Sequence, residues 1–245
     1  HDLSIRIMNK QSNTYTIIYI IVLVVLVGTA LAATSLALRG KQQDNINADK
    51  MSQILAAALI TPEKGNVVAD FDKYVTEQIV VNSKGEKVDG VNAFDVDVAS
   101  QSKLAGDRRD LPVFVCTTPD GEKKYILPVY GAGLWGPIWG YVAFDADGST
   151  IYGAYFAHQG ETPGLGAEIE KPQFCSQFEG KQVFKDGRFH PIAVVKTGQL
   201  PLDGEDYVNG ISGGTITSKG VGSMLDNCLT PYKKYLQALA EGAQE

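Results

Sequence analysis

From Ile17 to Leu38 the chain carries no charged residue, and the core of this run, Ile17 to Val27, is aliphatic apart from Tyr19. As a helix such a run rises roughly 33 Å, enough for a hydrocarbon layer of about 30 Å. A water-soluble fold would have to surround that helix with apolar neighbours on every side. A single membrane-spanning helix over 17–38 is therefore expected. A cleaved signal peptide is the competing reading, because Lys10 precedes the run and Ala30-Leu31-Ala32 resembles a cleavage site. The apolar run continues past that point through Leu36-Ala37-Leu38 before Arg39 and Lys41 end it, which favours the uncleaved anchor. Basic residues flank both sides, so charge alone leaves the orientation open. Met8 fits a natural start, with residues 1–7 as an upstream extension.

Past the anchor, Ile46, Met51, Ile54, Leu55 and Leu59 form an apolar stripe that ends before Thr61-Pro62, consistent with a short stalk continuing the helix. Phe71, Tyr74, Val75 and Ile79 suggest another helix face, and Asn82-Ser83-Lys84-Gly85 a turn. Phe94, Val96 and Val98 alternate with Asp95 and Asp97 as in a half-exposed strand, which would send both carboxylates to solvent and away from a metal or acid–base role. From Leu111 the pattern sharpens. Val113-Phe114-Val115 and Lys124-Tyr125-Ile126-Leu127 flank the turn Thr118-Pro119-Asp120-Gly121, a hairpin. Tyr141 to Phe144 and Ile151 to Phe156 flank Asp145-Ala146-Asp147-Gly148, a second one. Two glycine-rich loops, Gly131 to Gly136 and Glu161 to Gly166, follow strands. Pro172 opens a short helix through Phe178, and Ile192 to Val195 is read as the last strand. Strands grouped in hairpins with helices at the ends predict an α+β fold.

The net charge of −6 argues against a nucleic-acid partner, which would call for a basic face. Cys116, Cys175 and Cys228 are far apart and form no C-x-x-C pair, so no metal centre is expected from this chain. They are read as buried unpaired thiols, although one disulfide remains open by number.

The chemistry concentrates in Ser212-Gly213-Gly214-Thr215-Ile216-Thr217-Ser218. Val221, Met224, Leu225, Cys228 and Leu229 follow at helical spacing, with Thr217 or Ser218 as the expected N-cap. Hydroxyls at a helix N-terminus meet free backbone N–H groups and the positive end of the helix dipole, a setting that favours phosphate. Gly210-Ile211-Ser212-Gly213-Gly214 also fits the G-x-S-x-G nucleophile pattern, but the histidines (His1, His158 and His190) all precede the serine, against the hydrolase order. Neither glycine loop gives G-x-G-x-x-G opening a helix or a P-loop.

An N-terminal anchor, then Ile126-Leu127-Pro128-Val129 leading into Gly131 to Trp135, then Gln159 to Gly166, then Ser212-Gly213-Gly214-Thr215, come in one order over nearly the whole chain. In this the chain resembles the family of C subunits of bacterial sodium-translocating NADH:quinone oxidoreductases, and more distantly the G subunits of Rnf complexes. The resemblance implies an extracytoplasmic α+β FMN-binding domain behind the anchor. It also implies FMN joined by a phosphoester to Thr215, the threonine ending the family's S/T-G-A-T motif, with Thr217 the neighbour to exclude. Ser212, Gly213, Gly214, Thr217 and Lys219 would surround the phosphate. Leu134, Trp135, Glu161, Thr162, Leu165 and Gly166 match the loops that surround the flavin. Two positions differ: Gly214 stands where the family has Ala, and Asn209 where it has Asp.

The same resemblance implies an electron-carrying subunit of a multi-subunit inner-membrane complex, matured by a flavin transferase and contacting lipid through its single span. The implied division is a cytoplasmic tail (1–16), the span (17–38), a stalk and membrane-proximal α+β region (39–110) and a periplasmic FMN-binding domain (111–245). The alternatives are an Rnf-type flavin subunit and a tethered binding module without redox role.

Overall fold

The computed structural model describes residues 13–201 and 203–242. The expected start at Met8, residues 1–7 and most of the 1–16 tail lie outside the described residues. The chain forms two compact units, residues 1–49 and residues 50–245. Described residues of the first unit lie in helix α1 (Asn13–Ala57), which is long and apolar enough to cross a membrane. Its side chains from Ile17 to Leu38 are exposed rather than packed against protein.

The second unit begins within the last turns of α1, where Ile54, Leu55 and Ala57 are fully buried. Helix α2 (Val67–Tyr74) follows and runs directly into strand β1 (Val75–Val81). Helix α3 (Val98–Gln101) leads to β2 (Leu111–Thr117), β3 (Lys123–Ala132), β4 (Pro137–Phe144) and β5 (Ile151–His158). These make one antiparallel sheet in the order β1-β2-β3-β4-β5. The fold is thus α+β, a long apolar helix followed by a mixed helix and sheet domain.

Both faces of the sheet are covered, so strand alternation divides the core in two. Val113, Val115, Leu127, Val129, Val142 and Phe144 face one cluster, completed by helix α5 (Thr215–Leu229) through Val221, Met224 and Leu225. Phe114, Cys116, Ile126, Tyr141 and Ala143 face the other, closed by Ile54, Leu55 and Phe71. Helix α4 (Pro172–Cys175) and a 3-10 turn over Ser176–Phe178 add Phe174 and Phe178 to the first cluster. The short pair β6 (Phe184–Lys185) and β7 (Arg188–Phe189) comes next, then β8 (Ala193–Val195) and β9 (Tyr207–Asn209), which pair in parallel. Helix α6 (Lys233–Gly242) ends the described chain.

Several expectations change. The segment 93–98 is not a strand: Asn92 Oδ1 accepts from Phe94 N, and Asp97 Oδ1 accepts from Ala99 N and Ser100 N. These local side-chain caps fold it into a 3-10 turn and α3 instead. Val75 and Ile79 do not continue a helix face; β-branched residues from Val75 to Val81 favour extension, and β2 supplies the partner. Ile192 to Val195 is not the last strand, because β9 follows and pairs with it. The three cysteines are free and buried, and burial pushes the Cys116 and Cys175 thiols up to about 11.

The segment before β2 is fixed by Arg109, 7 % exposed, which donates to Ser102 O, Leu104 O, Asn227 O and Asn227 Oδ1 at 2.7–3.0 Å. Two of these acceptors lie near the C-terminus of α5, where a cation is favoured. Arg109→Ala strips four acceptors of their donor, and a loss of about 3 kcal/mol is expected. A fall in the urea unfolding midpoint at unchanged slope is the readout.

Candidate functional site

Sheet register brings three segments to one end of the fold. Ala132 pairs with Pro137, leaving 133–136 as a four-residue turn closed by Gly133 N donating to Gly136 O at 2.8 Å. Ile138 pairs with His158, so the loop after β5 leaves the sheet beside that turn, and Gln159 N donates to Pro137 O. Helix α5 packs on β3 with Gly220 against Ala132 and Met224 against Gly131, which delivers the helix N-terminus to the same place.

The helix starts earlier than its hydroxyls suggest. Gly214 is the N-cap and Thr215 the first helical residue, so neither Thr217 nor Ser218 caps it. Both side chains have turned inward. Thr217 is 1 % exposed and its hydroxyl donates to Glu161 Oε2 at 2.5 Å, while Ser218 Oγ accepts from Ile211 N at 2.8 Å. Thr215, by contrast, is exposed and its hydroxyl has no hydrogen-bond partner among the described residues. The first helix-type bond is Ser218 N to Gly214 O; the amides of Thr215, Ile216 and Thr217 have no acceptor among the described residues.

Glu161 lies under the surface at 4 % exposure. Burial opposes its charge, but the Thr217 hydroxyl and the Trp135 amide donate to it and hold its carboxyl below the usual range. Trp135 N approaches Glu161 Oε1 at 2.8 Å, and Glu161 N donates to His158 Nδ1 at 3.2 Å. Around this buried group stand exposed apolar side chains: Leu134, Trp135 at 69 %, Leu165 and Ile216. Thr162 O accepts from Leu165 N and Ala167 N and so shapes the second loop. Gly213, at φ +76°, brings the chain so near that loop that a Cβ would lie 2.7 Å from Leu165 Cδ2.

On the side of β8, Gly210 N donates to Val195 O and ends the parallel pairing, after which the two strands diverge. They leave a cleft of about 430 Å³ with Val194, Val195 and Ile211 as apolar lining, and Ser212, Gly213, Thr215 and Lys219 at its rim with Lys196. The predicted residues therefore converge, in two layers: Ser212, Thr215, Lys219, Leu134, Trp135, Thr162 and Leu165 are exposed, whereas Gly214, Glu161, Gly166 and Thr217 are buried. Lys196, Thr197 and Gln199 of the cleft were not foreseen. Their place depends on β8–β9 pairing, which a three-residue strand signals weakly.

A family model described as the FMN-binding domain matches residues 133–230, which include the 133–136 turn, the second glycine loop and all of α5. The chain is 35 % identical over 233 residues to the C subunit of the Na(+)-translocating NADH-quinone reductase of Vibrio anguillarum, covering 89 % of this chain and 91 % of that one. Identity to the corresponding Yersinia pestis protein is 31 % over 256 residues, with 96 % of each covered. Among solved structures, the C subunit of the Parabacteroides distasonis reductase superposes with a TM-score of 0.75 at 48 % identity, covering 81 % of this chain and 96 % of that one. The Shewanella oneidensis NqrC crystal structure gives 0.66 at 29 % identity, covering 80 % and 99 %. An apolar helix long enough to span a membrane, an α+β domain matching the FMN-binding model and these relatives agree: the chain belongs to the family of C subunits of the Na+-translocating NADH:quinone reductase, an oxidoreductase of several subunits.

Proposed function

We propose that the chain carries one FMN in phosphoester linkage to Thr215 Oγ1 and relays electrons between neighbouring subunits of a complex that exports Na+. The observation that carries this reading is the contrast between two threonines. Thr215 presents a free hydroxyl at the N-terminus of α5 and lines the cleft, whereas Thr217 is buried with its hydroxyl engaged. The surroundings fit the group. The unpartnered amides at the helix start and Lys219 and Lys196 on the rim suit a phosphate. Exposed Leu134, Trp135, Leu165 and Ile216 suit a flat aromatic ring.

Attachment requires a separate flavin transferase and FAD. Thr215 Oγ1 forms a bond to the phosphorus on the flavin side, the bond from that phosphorus to the bridging oxygen breaks, AMP departs with that oxygen, and the hydroxyl proton passes to solvent. When bound, FMN supplies a carrier that accepts and releases one or two electrons. The chain's own residues hold and orient it: Lys219 and the helix start offset the phosphate charge, and the glycine loops leave one side open to a neighbouring protein of the complex. In this reading residues 17–38 anchor the chain in lipid of the bacterial inner membrane, residues 1–16 are cytoplasmic, 39–110 connect, and 111–245 lie in the periplasm.

Flavin fluorescence that stays with the full chain in a denaturing gel, after coproduction with a flavin transferase, tests the linkage; a dark band would contradict it. The purified chain alone is expected to leave NADH unoxidised, as followed at 340 nm, because its role here is to carry electrons received from other subunits. Oxidation of NADH by the isolated chain would contradict the relay role.

A further inference from the structure

Among the described residues, Glu161 is the only acidic side chain in the fully buried set, and no lysine or arginine neutralises it. Its donors come from separate segments: the Thr217 hydroxyl from α5, and the Trp135 amide from the 133–136 turn. The glycines of both loops are cut around it. A Cβ on Gly133 would lie 2.5 Å from Glu161 Oε1, and one on Gly166 would lie 2.4 Å from both Glu161 Oε2 and Thr217 Oγ1. These two glycines therefore clear space for a carboxylate of the chain itself. The backbone of Glu161 is held as well, through His158 Nδ1, whose Nε2 stands 3.5 Å from Glu170.

We infer that Glu161 is a positioning residue: its carboxylate ties the 133–136 turn to the first turn of α5 and thereby sets where Trp135 stands relative to Thr215. It does this from beneath the surface, without facing the ligand. The consequence for flavin rests on the proposed attachment at Thr215; the tie itself does not. Losing it frees the turn, because Gly133 N to Gly136 O is the remaining hydrogen bond that closes it. Thr217→Val keeps the shape of the side chain and removes the donor, whereas Thr217→Ser keeps the donor.

The test is amide hydrogen exchange on the flavin-free full chain in detergent, for wild type, Glu161→Gln, Thr217→Val and Thr217→Ser. Exchange at Trp135 is expected to accelerate about tenfold in Glu161→Gln, since the carboxamide replaces a charged acceptor with two oxygens by a neutral one with a single oxygen. Thr217→Val should shift exchange in the same direction and Thr217→Ser should stay at wild type. In the flavin-loaded chain, the visible circular dichroism of the flavin should change in Glu161→Gln and Thr217→Val and not in Thr217→Ser. Wild-type exchange in Thr217→Val would overturn the inference. So would a changed flavin signal in Glu161→Gln with unchanged exchange, which would make Glu161 a direct contact. Should Glu161→Gln fail to fold, the threonine pair decides. Intact mass reports separately whether Thr215 carries FMN, so failure of the attachment and failure of the tie are distinguishable.

Discussion

Thr215→Ala is expected to abolish covalent flavin while leaving the fold unchanged. The side chain is exposed at the first position of α5 and makes no hydrogen bond among the described residues. Its truncation should therefore alter stability by no more than about 0.5 kcal/mol, so loss of flavin cannot be ascribed to unfolding. Nor can the neighbouring threonine take over. For Thr217 to react, its hydroxyl must leave Glu161 and come to the surface from 1 % exposure. Removing a donor from a buried carboxylate alone costs about 1.5–3 kcal/mol, a factor of roughly 10–150 against reaction. Ser212 is exposed and also lines the cleft, so it is the hydroxyl to watch in this variant. Gel fluorescence at background in Thr215→Ala, with an unchanged thermal midpoint, is the predicted outcome.

The second large effect concerns two glycines of α5 that differ by two positions. A Cβ on Gly220 would lie 2.3 Å from Ala132 O and 3.3 Å from Ala132 C. Backbone atoms of a central strand cannot rotate aside, and on the same strand a Cβ on Gly131 would lie 2.7 Å from Met224 Cβ. Gly220→Ala must move the helix off the sheet. Overpacking of this kind costs about 1–3 kcal/mol or more, only partly offset by the gain of about 1 kcal/mol in helix propensity. We expect a net loss of about 1–2 kcal/mol and, since the same contact sets the height of Thr215 and Thr217, weaker flavin attachment. A Cβ on Gly222 meets nothing nearer than Val194 at 3.7 Å, an ordinary contact. Gly222→Ala should instead stabilise by about 0.5–1 kcal/mol. Opposite shifts of the urea midpoint in the two variants are the readout.

What the sequence revealed depended on how local the determining interaction was. The hairpins β2–β3 and β4–β5 were legible because alternation and turn chemistry agree: Thr118 N bonds Glu122 O, and Gly121 and Gly148 adopt positive φ. The 93–98 segment was misread because alternation was weighed without the caps from Asn92 and Asp97. At the site, the Ser212–Ser218 stretch and both glycine loops are identified from sequence, yet the expected helix start falls three or four residues late. Thr217 and Ser218 have the composition of caps, but their hydroxyls are claimed by Glu161 and by Ile211 N. The Glu161–Thr217 bond spans 56 positions, and no spacing pattern encodes it. Glu161 matches a loop that surrounds the flavin in the family, and its buried position emerges only from the folded register of β3, β4 and β5.

The proposed function rests on one oxygen, Thr215 Oγ1, and peptide mapping by mass spectrometry of the full chain coproduced with a flavin transferase tests it most directly. The prediction is a single peptide covering Gly210 to Lys219 that carries one FMN less one water, with fragmentation placing the addition on Thr215. An addition on Ser212 or Thr217, or a chain of unmodified mass, would contradict it.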